Sequence, residues 1–282
     1  MFNLTIENKA GQKIDLTSEK NCVVTGIDGL TPPAANIITS QMAMLDGTQF
    51  NNAVVSQRNV VITLRLVADV ENMRILLYRY FRIKQYCKIY YSNAHRNIYC
   101  EGYIESFEND RFVINNQVQI SIICPSPWFK EIDEIIFDMS QVVDLFEFPF
   151  SIELSGVEFS KLDKTLLTTV TNSGDVETGI ILELYAASNV ANPRIYNVDT
   201  HEMIGVNFEM ANGDLIRIST VKGNKYVNLI RNGKTINIIN TLMKSPVWLQ
   251  IPVGETNFAF DCDSGNEFLS VKFITQNLFE GV

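Results

Sequence analysis

The stretch Thr25-Gly-Ile-Asp-Gly-Leu-Thr-Pro-Pro-Ala-Ala-Asn-Ile-Ile-Thr-Ser runs on to Asp46-Gly-Thr-Gln-Phe-Asn and then to Arg58-Asn-Val-Val-Ile-Thr-Leu. Two Gly/Pro-rich turns are joined here to a strand-like segment. Gly26, Gly29 and Gly47 allow positive φ, whereas Pro32 and Pro33 fix φ and exclude both helix and central-strand pairing. So much backbone-defining chemistry in a short span predicts a long, shaped, ordered loop. Loops of that length are uncommon unless they bind something. With no nucleophile, base or metal cage in it, the bound object is expected to be another protein.

Outward from this loop, the chain reads as mainly β. Phe2 to Asn8 and Lys13 to Thr17 alternate apolar and polar around a turn, which predicts a hairpin. Asn21 to Ile27 enters the loop as a strand, and Asn59 to Ala68 follows it. Asp69 has the chemistry of an N-cap, its side-chain oxygen positioned for a free backbone N–H. Val70, Met73, Leu76, Leu77, Tyr80 and Phe81 recur at three- and four-residue spacing, predicting one amphipathic helix from about Val70 to Ile83. Period two returns at Lys88 to Ser92, Asn97 to Phe107 and Gln117 to Cys124. Pro125-Ser-Pro stops the last of these. Lys130 to Ser140 is acidic and ambiguous. From Phe146-Glu-Phe-Pro-Phe onward short strands alternate with glycine turns at Gly213, Gly223, Gly233, Gly254 and Gly265, a spacing that predicts an antiparallel sandwich or barrel.

Composition limits the function classes. The 282 residues fit one large or two ordinary domains, and a hydrophobic content of 46% is ample for packed cores. No apolar run reaches the roughly 20 residues of a membrane helix, and the first residues lack the pattern of a cleaved signal. Five cysteines, Cys22, Cys87, Cys100, Cys124 and Cys262, stand apart without a C-x-x-C pair, so buried reduced thiols made in a cytoplasm are expected, not disulfides or zinc. The formal charge is −9, with 10 basic against 17 acidic residues after Ser140. An acidic chain gains no counterion-release affinity for phosphate backbones, which argues against nucleic-acid binding. One local exception is the basic run Arg65, Arg74, Arg79, Arg82, Lys84 and Lys88, read either as a solvated helix face or as a stripe that meets an acidic neighbour.

Catalytic constellations are missing from the sequence. His95 and His201 both fall in turns outside any nucleophile motif, and Glu105, Glu108 and Asp110, or Asp261 and Asp263, lack a ligand spacing. No phosphate-binding glycine loop is present. No cofactor, metal or catalytic residue is therefore assigned.

Three motifs together resemble the distal tail proteins of long-tailed phages. The first comprises Gly26, Asp28-Gly29, Pro32-Pro33, Asp46-Gly47, Phe50 and Arg58-Asn59. The second is Ile120-Ser-Ile-Ile-Cys-Pro-Ser-Pro-Trp-Phe. The third is Val170-Thr-Asn-Ser-Gly-Asp-Val-Glu-Thr-Gly, with Asn212-Gly-Asp and the terminal Phe279-Glu-Gly-Val. The resemblance spans the chain in order. It implies an N-terminal β-sandwich-like domain with one helix and a projecting loop or hairpin (residues 1–129), a linker (130–144) and a galectin-like antiparallel β-sandwich (145–282). It further implies a hexameric ring joining the tail tube to the adsorption apparatus, located at the virion tail tip after assembly in the host bacterial cytoplasm. The partners it implies are the tail tube protein, a tail-associated hub or lysin protein, and receptor-binding or baseplate proteins. Membrane and specific nucleic acid are not among them. The subunit interface is expected at Gly26, Asp28, Gly29, Pro32, Pro33, Asp46, Gly47, Phe50, Arg58 and Asn59.

The rival reading is a carbohydrate-binding module for host recognition. Asn192, Arg194, Asn197 and Trp248 follow the galectin order of polar motif, asparagine and stacking tryptophan. Val190 stands where a histidine would be, and Leu249-Gln-Ile replaces Glu-x-Arg after the tryptophan. A hydrolase is the third class, and the missing catalytic constellation argues against it.

Overall fold

The computed structural model describes residues 2–44, 46–110, 116–144, 160–164 and 167–282. Phe146-Glu-Phe-Pro-Phe, expected to open the second domain, lies outside the described residues. The chain divides into two compact units, Met1–Ile132 with Leu278–Val282, and Asp133–Asn277. The chain is mainly β, as its periodicity predicts.

In the first unit the strands are β1 (Asn3–Asn8), β2 (Lys13–Asp15), β3 (Cys22–Asp28), β4 (Ala35–Ser40), β5 (Gln49–Val55), β6 (Arg58–Leu66), β7 (Tyr86–Ser92), β8 (Asn97–Asn109), β9 (Gln117–Cys124) and β10 (Phe129–Glu131). All but β4 and β5 join one antiparallel sheet in the order β2-β1-β7-β8-β9-β6-β3, with β10 pairing β8 and the C-terminal strand Leu278–Phe279. Period two sets the buried face. Leu4 and Ile6 of β1, Val60, Ile62, Leu64 and Leu66 of β6, and Val118, Ile120 and Ile122 of β9 are buried in one core.

The helix α1 spans Val70–Tyr80 and contributes Met73 and Leu77 to that core. It is three residues shorter than its apolar spacing predicts. Phe81, at φ −106, leaves helical geometry while its N–H still donates to the Leu77 carbonyl, and its ring is buried in the core. Asp69 occupies the N-cap position, but its carboxylate accepts from Asn72 Nδ2, not from the backbone. At φ 45 it is left-handed, a conformation that short polar side chains tolerate.

The second unit is a two-layer arrangement about one core. The larger sheet runs Ile135–Asp138, Leu269–Thr275, Thr178–Ala186, Leu215–Ser219, Tyr226–Arg231 and Lys234–Asn237. The ambiguous Lys130 to Ser140 segment thus supplies β10 to one unit and an edge strand to the other. The smaller sheet runs Leu167–Asn172, Gly254–Asp261, Arg194–Asn197 and Met203–Gly205. Leu182, Leu184 and Phe273 from the larger sheet meet Val170, Ile195 and Phe258 from the smaller one. The Phe258 and Phe273 rings lie 5.1 Å apart across the layers. All five turn glycines have positive φ, so the spacing that predicted the sandwich reflects real reversals.

Candidate assembly interface

The loop after β3 begins with a steric requirement. Gly29 has φ 86, and a Cβ built on it would lie 2.1 Å from the Asn59 carbonyl oxygen. Only glycine lets the chain turn this close to β6. Gly26 has no positive φ. It sits instead at a register shift between Val24 and Gly26, where β3 bulges against β6.

Arg58 holds the turn from beneath. Its place in β6 is in phase with Val60, Ile62 and Leu64, so it points inward and is 3% exposed. A buried guanidinium must have its donors satisfied. Nε donates to the Pro127 carbonyl at 2.7 Å and Nη1 to the Thr31 carbonyl at 2.8 Å. Nη1 also donates to the Gly29 carbonyl, and Nη2 to that of Glu280. Its face lies 4.3 Å from the centre of the Phe129 ring, a cation–π contact. The clamp thus gathers four segments of one unit at the base of the loop.

The C-terminal residues complete this base. Arg96 donates to the Gly281 carbonyl and stacks 4.3 Å over the Phe279 ring. The Val282 N–H donates to the Leu30 carbonyl at 3.1 Å. A Cβ on Gly281 would come within 2.9 Å of Pro32 Cδ, so the terminal strap and the proline turn are in close contact.

From this fixed base an arm projects. β4 and β5 pair only with each other, from Ala35 opposite Val55 to Ser40 opposite Gln49, with a bulge after Ile38. Nearly every residue of both strands is exposed. Ile37, Ile38, Met42, Phe50 and Val54 are between 44% and 62% exposed, and Met44 at the tip is completely so. Met44 and Gly47 turn the chain with φ 65 and 91. A two-stranded hairpin alone in water is marginal. One with two open edges and no lysine, glutamate or arginine in it lacks the charged side chains that usually guard an edge against pairing with another chain.

The ten residues expected at an interface therefore separate. Pro32, Asp46, Gly47 and Phe50 lie on the exposed arm or its root, and Asp28 and Asn59 are exposed beside it. Gly26, Gly29, Pro33 and above all Arg58 shape the base from within. Sequence reasoning missed Arg96, Phe129 and the strap Phe279–Val282 as parts of this base. Phe129 and the strap lay in motifs already singled out, as the last residue of the second and the end of the third, whereas Arg96 lay in none.

The residues of the sugar reading are occupied otherwise. Asn192 Nδ2 donates to Asp263 at 2.8 Å, and Arg194 is paired to both Asp261 and Asp263. The hydrogen bonds from Asn192 and Arg194 hold the Asp263 carboxyl below the usual carboxylate range. Asn197 is buried, its carbonyl accepting from the Asp199 and Thr200 N–H groups in a turn. Trp248 is half-buried against the second core, with Lys225 Nζ 5.2 Å over its ring.

All five cysteines are free and buried. Burial pushes the Cys22 thiol up to about 11 and that of Cys87 to about 12, well away from thiolate chemistry at neutral pH. His201 sits in a left-handed turn, and the Asn93 side chain accepts from the backbone N–H of His95. Among the described residues no cluster of histidine, cysteine, aspartate or glutamate has metal-binding geometry, and no helix is long and apolar enough to cross a membrane.

Residues 173–276 match the family model of the siphovirus-type tail component, C-terminal domain. The crystal structure of the Dit protein of phage SPP1, described as a paradigm of the hub adsorption apparatus in phages infecting Gram-positive hosts, superposes with a TM-score of 0.71. That match covers 99% of each chain at 14% identity. This is the fold of a phage distal tail protein. Two structures of the activated phage P2 baseplate, with Ca and with Sr, match over the full length of both chains at 11% identity, with TM-scores of 0.57 and 0.56. No curated protein sequence matches the chain. The resemblance read from the three motifs is borne out by the family model and by the fold.

Proposed function

We propose that this protein is a structural hub component of a phage tail, working by assembly and not by catalysis. Six copies close into a ring at the tip of the tail tube, each offering its arm to the next in a heterologous contact that rotation completes. The observation that carries this reading is the β4–β5 arm: apolar, exposed along both strands and rooted on the Arg58 clamp. A surface of that kind, costly to leave in water, is what a subunit interface buries. The ring's other partners are the tail tube protein, a tail-associated hub or lysin protein and the receptor-binding or baseplate proteins, so the protein resides at the virion tail tip after assembly in the host bacterial cytoplasm.

Light scattering coupled to size exclusion, across a wide concentration range, tests the ring. The expected mass is six times that of the subunit, with dissociation only on dilution. A chain that stays monomeric at every concentration defeats the proposal.

A further inference from the structure

The reading above identifies what projects from the subunit but not where it lands. We infer that the arm tip of one copy seats in the groove between the β1–β2 turn and the end of α1 of the next, with Asp46 meeting Arg79 and Arg82. This rests on the ring reading and adds the acceptor surface to it.

The groove is an open hollow of about 470 Å³ whose walls include Lys9, Ala10, Arg79, Tyr80 and Arg82. Its charge is one-sided. Neighbouring cations have carboxylate partners: Lys13 pairs with Glu7, Arg74 with Glu71, and Lys88 with Glu101. Lys9, Arg79 and Arg82 have no ion pair or side-chain hydrogen bond among the described residues. Three cations around one hollow repel one another unless a carboxylate enters. Of the basic run seen in the sequence, Arg74 and Lys88 are paired with carboxylates, and of the remainder Arg79 and Arg82 are the two that line the hollow.

The arm carries the complement. Between Ala35 and Val55 the only charged residue is Asp46, and it lies at the tip. Beside it stand Met42 and Met44, both exposed. Methionine side chains adapt to irregular apolar walls such as those of Ala10 and Tyr80. A guanidinium fork takes a carboxylate through two parallel hydrogen bonds, which gives the contact a direction as well as a charge. Among the described residues neither strand of the arm pairs with any other strand of its own subunit, and the tip is exposed, so the seat belongs to another copy. Arm and groove are different surfaces of the same unit, as a ring of heterologous contacts requires.

Charge exchange tests the seat on the full chain. Asp46→Lys alone, and Arg79→Glu with Arg82→Glu, should each raise the concentration at which the oligomer dissociates by roughly tenfold or more. Combining the three substitutions should bring it back toward the wild-type value. All three positions are on the surface, and circular dichroism on the same samples checks that the subunit is folded. If the groove variant assembles like wild type, or if the combined variant stays as weak as the worse of its parents, the seat is elsewhere although the ring stands. A wild-type chain that never assembles removes the ring reading, and the seat with it.

Discussion

Arg58 owes its place to the period of its strand. In Arg-Asn-Val-Val-Ile-Thr-Leu-Arg-Leu the arginine falls on the same alternate positions as Val60, Ile62, Leu64 and Leu66. That phase was legible in the sequence, but Arg58 was expected at the subunit interface and not in the core. What could not be read was the set of carbonyls that makes burial tolerable, because Gly29, Thr31, Pro127 and Glu280 come from three distant parts of the chain. Gly29 shows the converse case. Its Asp-Gly setting predicted a positive φ, and the structure has it. Replacing Arg58 with methionine keeps the apolar stem and removes every donor. The expected loss is about 3 kcal/mol, the scale of one charged group's hydrogen bonds in a buried site. Urea unfolding of the full chain measures it. Arg58→Lys should recover only a minor part, since an ammonium cannot reach four carbonyls with a planar fork. Full recovery by lysine would mean that charge alone, not geometry, holds the base.

At the scale of elements, strands with one buried face were legible and the arm was only half so. β4 has no alternation because neither of its faces is buried, and an unpatterned, uncharged run reads as loop. The hairpin Leu215–Ser219 with Tyr226–Arg231 shows a different limit. The turn motif Asn212-Gly-Asp that leads into its first strand was recognised, yet not the partner of the aspartate. Asp214 is 2% exposed and accepts from Arg231 Nε at 2.7 Å, Nη2 at 2.5 Å and the Ala211 N–H at 2.7 Å. The pair ties the start of one strand to the end of the next. The bidentate bond from Arg231 holds the Asp214 carboxyl below the usual carboxylate range. The unfolded chain, with an ordinary carboxyl near roughly 3.9, therefore takes up its proton first as pH falls. The stabilisation is complete above that ordinary value and is lost as pH drops through the lowered one. Asp214→Asn should accordingly be less stable than wild type at neutral pH, and the gap should narrow in acid. Thermal midpoints at pH 7, 5 and 3 read this directly. A gap that does not change with pH would show that Asp214 acts through packing alone.

At the scale of the whole molecule, the chain order and the compact units part company. The sequence suggested a boundary near the Pro125-Ser-Pro stop and a second domain running to the last residue. In the structure the last five residues, Leu278–Val282, belong to the first unit, while Ile135–Asp138 belongs to the second. Period and turn spacing locate strands along the chain, but a pairing between Phe129 and Phe279 is a long-range register that neither encodes. The consequence can be measured with two fragments. Residues 133–277 retain the edge strand, with Ile135 opposite Thr275 and Phe137 packed on the core. Residues 141–282 lose that strand, leave Leu269–Thr275 as an open edge, and keep a tail whose partners are in the other unit. The first fragment should be a monomer with one cooperative unfolding transition. The second should melt roughly 5 °C lower or more, and should self-associate through the bared edge. Calorimetry and light scattering on both fragments decide the matter. Equal midpoints, with both fragments monomeric, would mean that the edge strand contributes nothing to the second unit and that its pairing with Leu269–Thr275 is incidental to the fold.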